Sequence, residues 1–250
     1  MTDNFNLYSK YYDLLYLNKE YEKESRYVTK TLREFLPAIE SILELGCGSG
    51  SHADFLCQYG FEITGIDRSF EMIKEALNKN IVGFNPIQGD ISRFNLENQF
   101  DAVIALFHVI SYLVDNKSLI NCFQLTHKHL KKGGLFLFDT WYSNAVYNNK
   151  PDTRIKRLED DKVEIIRIAE PCVISSKNLV EVHYEVIIKN KKTGEIQIFK
   201  EKHPMRHFSI PEIELLAWET GFEIIKTEEL ITQASPNDNT WGVCFILKKI

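Results

Sequence analysis

The sequence has no basic excess. Its 250 residues hold 30 Lys and Arg against 35 Asp and Glu, a formal net charge of −5. A nucleic-acid-binding face normally shows the opposite balance, although a local basic pocket for a phosphate stays open. No apolar run approaches the roughly 18 residues that cross a bilayer. Met1–Lys10 is polar and lacks the apolar centre of a signal peptide, so a cytoplasmic protein without membrane contact is expected. Cysteine is sparse and odd in number: Cys47, Cys57, Cys122, Cys172 and Cys244 form no CxxC pair and no Cys/His ligand spacing. That argues against a disulfide scaffold or a metal site and for a reduced chain. Internal repeats and low-complexity tracts are absent too. What is present is an ordinary globular composition, 44% hydrophobic and 26% charged, in a chain of a length that fits one large domain or one domain with a lid.

The first forty residues read as helical: Leu7, Tyr11, Leu14 and Leu15 recur at helical spacing, as do Tyr27, Val28, Leu32, Phe35 and Leu36, and Pro37 closes the segment. Short apolar strands then alternate with helices. Strands are expected at Ser41–Leu45, Phe61–Ile66, Phe84–Gln88, Phe100–Phe107 and Leu135–Asp139, and helices at Ala53–Tyr59, Glu71–Lys79 and Leu119–Leu130, the last stopped by a turn at Lys131–Gly134. That alternation implies a doubly wound, mostly parallel α/β sheet. From Arg154 to Lys202 the pattern becomes alternating and β-branched, an antiparallel insert of about three strands with a hairpin turn at Lys191–Gly194. A helix at Pro211–Thr220 and two strands, Phe222–Leu230 and Trp241–Lys249, finish the chain. Four parts follow: a helical cap at 1–38, a nucleotide-binding core at 39–140, a β insert at 141–208 covering the site, and closing core elements at 209–250.

The first strand runs directly into Gly46-Cys47-Gly48-Ser49-Gly50. Glycines there let a ligand approach the backbone, and the following helix offers unpaired N–H groups. A dinucleotide loop would be G-x-G-x-x-G; here the third glycine comes one position early and Glu44 precedes the first by two. No Gly-Lys-Ser/Thr follows, which excludes a P-loop. Asp67 ends the second strand nineteen residues after Gly48, where a carboxylate can hold both ribose hydroxyls. Its alternative role is a helix N-cap, which Ser69 could fill instead. Asp90 ends the third strand, facing adenine or capping a turn.

In order, ExGxGxG, Asp67, Gly89-Asp90, FDAVIAL and LKKGGLFLFDTW resemble the class I S-adenosylmethionine-dependent methyltransferases. The resemblance covers residues 39–140 and, less closely, the final helix and strands. It implies a Rossmann-like seven-stranded sheet whose last strand is antiparallel, and S-adenosylmethionine as cofactor. It would set Gly46, Gly48 and Gly50 along the methionine moiety, Asp67 with Arg68 at the ribose, Asp90 and Ile91 about adenine, and Ala105 and Leu106 along the site after strand four. A narrower resemblance joins the opening YYDLLY and NKEYEKE, the segment LFHVISYL, the insert and the closing HPMRHFSIPEIELLAWETGF to bacterial N-methyltransferases of nucleotide-linked amino sugars. It would bring Tyr16 or Tyr21 to the methionine end and Tyr112 to the sugar. His108 departs from that pattern, since small polar residues are common there.

His108 is therefore the discriminating residue, either a general base or a polar residue closing a strand. An amine acceptor needs only to lose one proton; a hydroxyl acceptor needs a base. Tyr112 would orient an amine or pack in the core. Trp141 and Tyr142 follow strand five at the substrate edge. His203, Arg206 and His207 would hold a phosphate, order the insert, or sit in a solvated loop. The insert's alternating strands offer an edge to a second copy, admitting a homodimer. The expected activity is methyl transfer to a small polar acceptor, foremost the amine of a nucleotide-linked deoxyamino sugar. The alternative is oxygen methylation of a saccharide or other small metabolite with His108 as base. A binding module that has lost catalysis is disfavoured by the intact glycine loop and acids, and RNA or protein as substrate by the missing basic face.

Overall fold

The computed structural model describes residues 14–16 and 19–250; Leu7, Tyr11 and Tyr12 lie outside the described residues. The elements in order are α1 (Tyr21–Phe35), β1 (Ser41–Leu45), α2 (Ser51–Gln58), β2 (Glu62–Asp67), α3 (Phe70–Asn78), β3 (Phe84–Gln88), β4 (Phe100–Ala105), a 3₁₀ turn (Val109–Tyr112), α4 (Asn116–His129), β5 (Leu130–Trp141) and α5 (Ser143–Asn148). Then come β6 (Arg154–Glu159), β7 (Val163–Ile174), β8 (Leu179–Asn190), β9 (Ile196–Arg206), α6 (Ile210–Glu219), β10 (Phe222–Glu229) and β11 (Gly242–Lys249). The main sheet has seven strands in the order β10-β11-β5-β4-β1-β2-β3. β11 runs antiparallel to both neighbours and the others are parallel. No helix among the described residues is long and apolar enough to cross a membrane.

Both faces of this sheet are buried, so its central strands are largely apolar and the period-two pleat deals their side chains to two cores. Val103 and Ala105 of β4 and Phe136 and Phe138 of β5 join Phe123 of α4 on one face. Ala102, Ile104, Leu135 and Leu137 meet Val28 and Leu32 of α1 and Leu56 of α2 on the other. The Tyr27 hydroxyl donates to Glu228 at 2.7 Å and ties α1 to β10.

Three differences from the sequence expectation have a local cause. Lys131–Gly134 lies inside β5 and is not a separate turn: Leu130 pairs with Phe100, then Leu135 with Ala102, so the intervening residues bulge from the strand. β4 stops at Ala105 because Phe107 and His108 take positive φ, 64° and 60°. The insert has four strands, in the order β6-β7-β8-β9. The break between the first two is an Asp160 turn, whose Oδ1 accepts the N–H groups of Lys162 and Val163, both at 2.7 Å.

The insert leaves and rejoins the core at one place, where Phe208 N–H donates to the Trp141 carbonyl and Ser143 N–H to the Phe208 carbonyl, both at 2.9 Å. Its inner face packs Val163, Ile165, Val186 and Ile188 around Leu15. The insert thus overhangs the carboxyl ends of β1, β4 and β5, the switch point where ligands of such sheets bind.

Candidate active site

A cavity of about 360 Å³ opens between that edge and the insert. Its floor is the glycine loop. Gly46, Gly48 and Gly50 all have positive φ, 69°, 55° and 79°, which side-chain-bearing residues rarely adopt. They are not equivalent. A Cβ on Gly50 would meet the Phe84 ring at 2.6 Å, whereas one on Gly48 would meet nothing within 4 Å. Gly48 borders the cavity; Gly50 does not, and it serves as the left-handed entry to α2.

Asp67 sits at the end of β2. Its Oδ2 accepts the Gly48 N–H and its Oδ1 the Ser69 N–H, each at 2.9 Å. Ser69 is the N-cap of α3, accepting from Met72, so capping does not occupy Asp67. Burial raises the Asp67 carboxyl, with the Ser69 and Gly48 N–H groups opposing. Arg68 borders the same space. Gly89, Asp90 and Ile91 follow along the rim. Asp90 also holds its own turn: Oδ1 accepts Ser92 N–H and Oγ–H at 2.9 and 2.7 Å, and Oδ2 faces Arg93 Nε at 3.0 Å.

Behind the loop runs a buried chain that the sequence did not reveal. Glu44, 1% exposed, stands 3.8 Å from His52 Nδ1; His52 Nε2 is 2.7 Å from Glu24 of α1, and Glu24 pairs with Lys19. Burial, then the charge of Asp67, pushes Glu44 up to about 8. Burial lowers His52. Glu24 is held down: His52 and Lys19 outweigh its desolvation. Tyr21 stands edge-on to His52 with centroids 4.9 Å apart, so this chain connects the cap to the glycine loop.

At the far end, His108 and Asp139 meet. Asp139, fully buried at the end of β5, lies 2.7 Å from His108 Nδ1 and accepts the His108 backbone N–H at 3.2 Å. Burial alone would raise Asp139, but the His108 ring and its hydrogen bonds hold the carboxyl below its ordinary value. With Nδ1 turned to Asp139, Nε2 is the ring nitrogen on the side away from the carboxylate, the arrangement of an oriented base. The surrounding wall is aromatic: Tyr16, Phe107, Tyr112, Trp141 and Tyr184 border the cavity with His203. Tyr16 stands edge-on to Phe107 at 5.0 Å and accepts from Arg167 at 3.2 Å.

Of the residues expected here, Tyr16, Tyr21, Gly46, Gly48, Asp67, Arg68, Asp90, Ile91, Leu106, His108, Tyr112, Trp141 and His203 border the cavity. Gly50, Ala105, Tyr142 and Arg206 do not. Ala105 is the last residue of β4 and wholly inside the sheet. Tyr142 turns into the core and precedes α5. Arg206 ties β9 to the helices instead, through Glu212 at 2.5 Å and Asn116 at 2.8 Å. His207 is likewise outside, paired with Ser143 at 2.9 Å. Asp139, His52, Glu24 and Tyr184 carry no local signal of their own beyond the strand or helix they sit on.

Residues 42–134 match the family model described as a methyltransferase domain. The chain is 28% identical over 226 residues to YqeM of Bacillus subtilis (strain 168), covering 88% of this chain and 89% of that one. It is 24% identical to the dTDP-3-amino-3,4,6-trideoxy-alpha-D-glucopyranose N,N-dimethyltransferase of Streptomyces venezuelae, covering 85% and 89%. A solved S-adenosylmethionine-dependent methyltransferase from Clostridium acetobutylicum ATCC 824 superposes with a TM-score of 0.83 at 23% identity, covering 98% and 99%. Residues 42–134 thus carry a methyltransferase domain, and the proteins the chain is similar to include S-adenosylmethionine-dependent methyltransferases. The enzyme's residues fit that cofactor. The space a Gly48 Cβ would fill is open, and the Asp67 carboxylate borders the same floor. All five cysteines are unpaired.

Proposed function

We propose that the enzyme methylates the amine of a nucleotide-linked deoxyamino sugar. The observation that carries this reading is the far end of the cavity, where aromatic rings and the His108–Asp139 pair meet under the insert. Aromatic faces suit the apolar side of a sugar ring. The similarity to the Streptomyces venezuelae N,N-dimethyltransferase runs through most of both chains. In this reading the described part of residues 1–38 caps the site, 39–140 hold the cofactor, 141–208 recognise the acceptor and 209–250 complete the core. Gly46 and Gly48 receive the methionine part, Asp67 and Arg68 the ribose, Asp90 and Ile91 the adenine. Unpaired cysteines support a reducing, cytoplasmic setting. Exposed Ile196 and Ile198 on β9 support pairing of the insert with a second copy.

S-adenosylmethionine supplies a methyl group on a sulfonium sulfur, which departs as a neutral thioether by in-line displacement. The chain's contribution is alignment and exclusion of water. The acceptor ammonium gives one proton to His108 Nε2, leaving its nitrogen lone pair for the methyl carbon. Asp139 steadies the imidazolium that results.

The His108–Asp139 contact at 2.7 Å also favours a second reading, transfer to a sugar hydroxyl, where such a base contributes about 10²–10⁴-fold. Intact-mass analysis after incubation with S-adenosylmethionine and nucleotide-linked sugars, half bearing amines and half only hydroxyls, separates the two. A gain of methyl groups on the amino sugars alone supports the first reading. A gain on the hydroxyl-only set replaces it with the second. No gain on either set rejects both acceptors.

A further inference from the structure

The cavity holds a second polar array, which joins core to insert. The Tyr112 hydroxyl and His203 Nδ1 are 2.9 Å apart. His203 Nε2 is 3.0 Å from Glu201 Oε2. Glu201 and His203 are two apart on β9 and so share the inward face of that strand; His203 is 2% exposed. Tyr184 of β8 stacks edge-on against the His203 ring at 4.9 Å, and Arg167 of β7 lies 5.2 Å from the Tyr184 ring.

These contacts have a direction. A carboxylate only accepts hydrogen bonds, so the His203 nitrogen facing Glu201 carries the hydrogen. The other nitrogen of the neutral ring then offers a lone pair, and the group facing it is the phenol O–H. Burial drives the Tyr112 phenol well above its ordinary value, so it keeps that hydrogen. We propose that Glu201 and His203 are positioning residues that turn the Tyr112 O–H away from the cavity, so that its oxygen meets the substrate as a hydrogen-bond acceptor. Such an oxygen holds an acceptor group that still carries an N–H or O–H. It aims the nitrogen of an amine by one of its hydrogens while the lone pair stays clear for methylation. Were the array reversed, the phenol would donate to that same lone pair and block it. The inference rests on the proposed acceptor chemistry and deepens it.

A double-mutant cycle tests whether His203 acts through the phenol. Wild type, Tyr112→Phe, His203→Phe and the double variant are assayed for kcat and KM with the best amine of the sugar panel. One lost orienting hydrogen bond predicts a roughly tenfold fall in kcat/KM for each single variant. The double variant should fall no further, and KM for S-adenosylmethionine should hold. Additive losses, or a weakened cofactor KM, would make His203 a mere prop of the insert and overturn the proposal. Glu201→Gln is the gentler variant should His203→Phe unfold. Its loss should likewise vanish in the Tyr112→Phe background. Nitrogen-15 NMR of histidine-labelled enzyme needs no acceptor at all. Assignment by comparison with His203→Phe should show His203 protonated on Nε2 when neutral, and a mixture of tautomers in Glu201→Gln. A neutral His203 protonated on Nδ1 refutes the direction, whatever the panel shows. A silent panel with the Nε2–H tautomer refutes the acceptor reading alone.

Discussion

Replacing Asp67 with Asn probes the proposed nucleoside end most directly. The two carboxylate oxygens take different backbone donors, Gly48 N–H on Oδ2 and Ser69 N–H on Oδ1, both at 2.9 Å. Asn has one carbonyl oxygen, so one of these N–H groups must face an NH₂. A charge-assisted hydrogen bond is worth about 1.5–3 kcal/mol. Part of that loss is offset because the buried charge itself is costly, as the raised carboxyl shows. A net loss of about 1–2 kcal/mol lowers the melting temperature of a chain this size by roughly 2–8 °C. If Asp67 also holds the ribose hydroxyls, the cofactor loses a second charged interaction, and Kd rises about 10- to 100-fold. Thermal melts with and without S-adenosylmethionine measure the first effect and calorimetric titration the second. A lower melting temperature with unchanged Kd would show Asp67 to be only a brace for the loop, and would move the ribose elsewhere. Asp90→Asn is the control: its oxygens already serve Ser92 and Arg93, so its effect on Kd should be the smaller.

Gly48→Ala should fold but bind S-adenosylmethionine at least tenfold more weakly by titration, because the space for its Cβ is the cavity itself; Gly50→Ala should instead lower the melting temperature, its Cβ meeting Phe84 at 2.6 Å. His108→Ala should lower turnover about 10²–10⁴-fold with a hydroxyl acceptor and only a few-fold with an amine, and Asp139→Asn should follow the same ranking in steady-state assays; equal losses on both acceptors would remove His108 from proton transfer. Glu44 has its carboxyl raised from 4.5 to about 8, so the folded state binds its proton more tightly than the unfolded chain does. Its contribution to stability is full below pH 4.5 and is lost as pH rises through about 8. Melting curves of Glu44→Gln should therefore slope less steeply than wild type between pH 5 and 8, and parallel curves would refute the shift.

The parallel core was legible because its signals are local. Strand, glycine turn and helix follow one another within 20 residues, and each apolar run matches the period of its element. Where expectation and structure part, a long-range partner decides. Lys131–Gly134 reads as a turn, yet Phe100 and Ala102 pair on either side of it and keep it within β5. Arg206 sits beside two histidines, yet Glu212, six residues on across a helix cap, takes it. Glu24 and His52 are 28 residues apart, and Tyr112 and His203 are 91 apart. No spacing rule joins such pairs, because only the overhang of cap and insert brings them together. Asp139 was visible as the end of an apolar strand, but its purpose appears only with His108 turned back over it at positive φ.

Four acids close strands at the carboxyl edge, and sequence treats them alike. The structure sorts them by what each one faces. Glu44, buried behind the glycine loop, stays protonated up to about 8. Asp139, equally buried, keeps its charge through His108. Asp90 is bound to its own turn. Asp67 is held by two backbone N–H groups, which fix its position while leaving further lone pairs on each oxygen. Of the four, Asp67 and Asp90 border the cavity, so the proposed nucleoside end meets a carboxylate of fixed geometry while the other two serve neighbouring groups. The proposed acceptor end, by contrast, is walled by aromatic rings, with two imidazole–carboxylate pairs, His108–Asp139 and His203–Glu201, beside them. In the proposed reading the carboxylates that border the cavity, Asp67 and Asp90, stand at its nucleoside end and the aromatic wall at its acceptor end, where an apolar surface favours a step in which a positive charge on sulfur disappears.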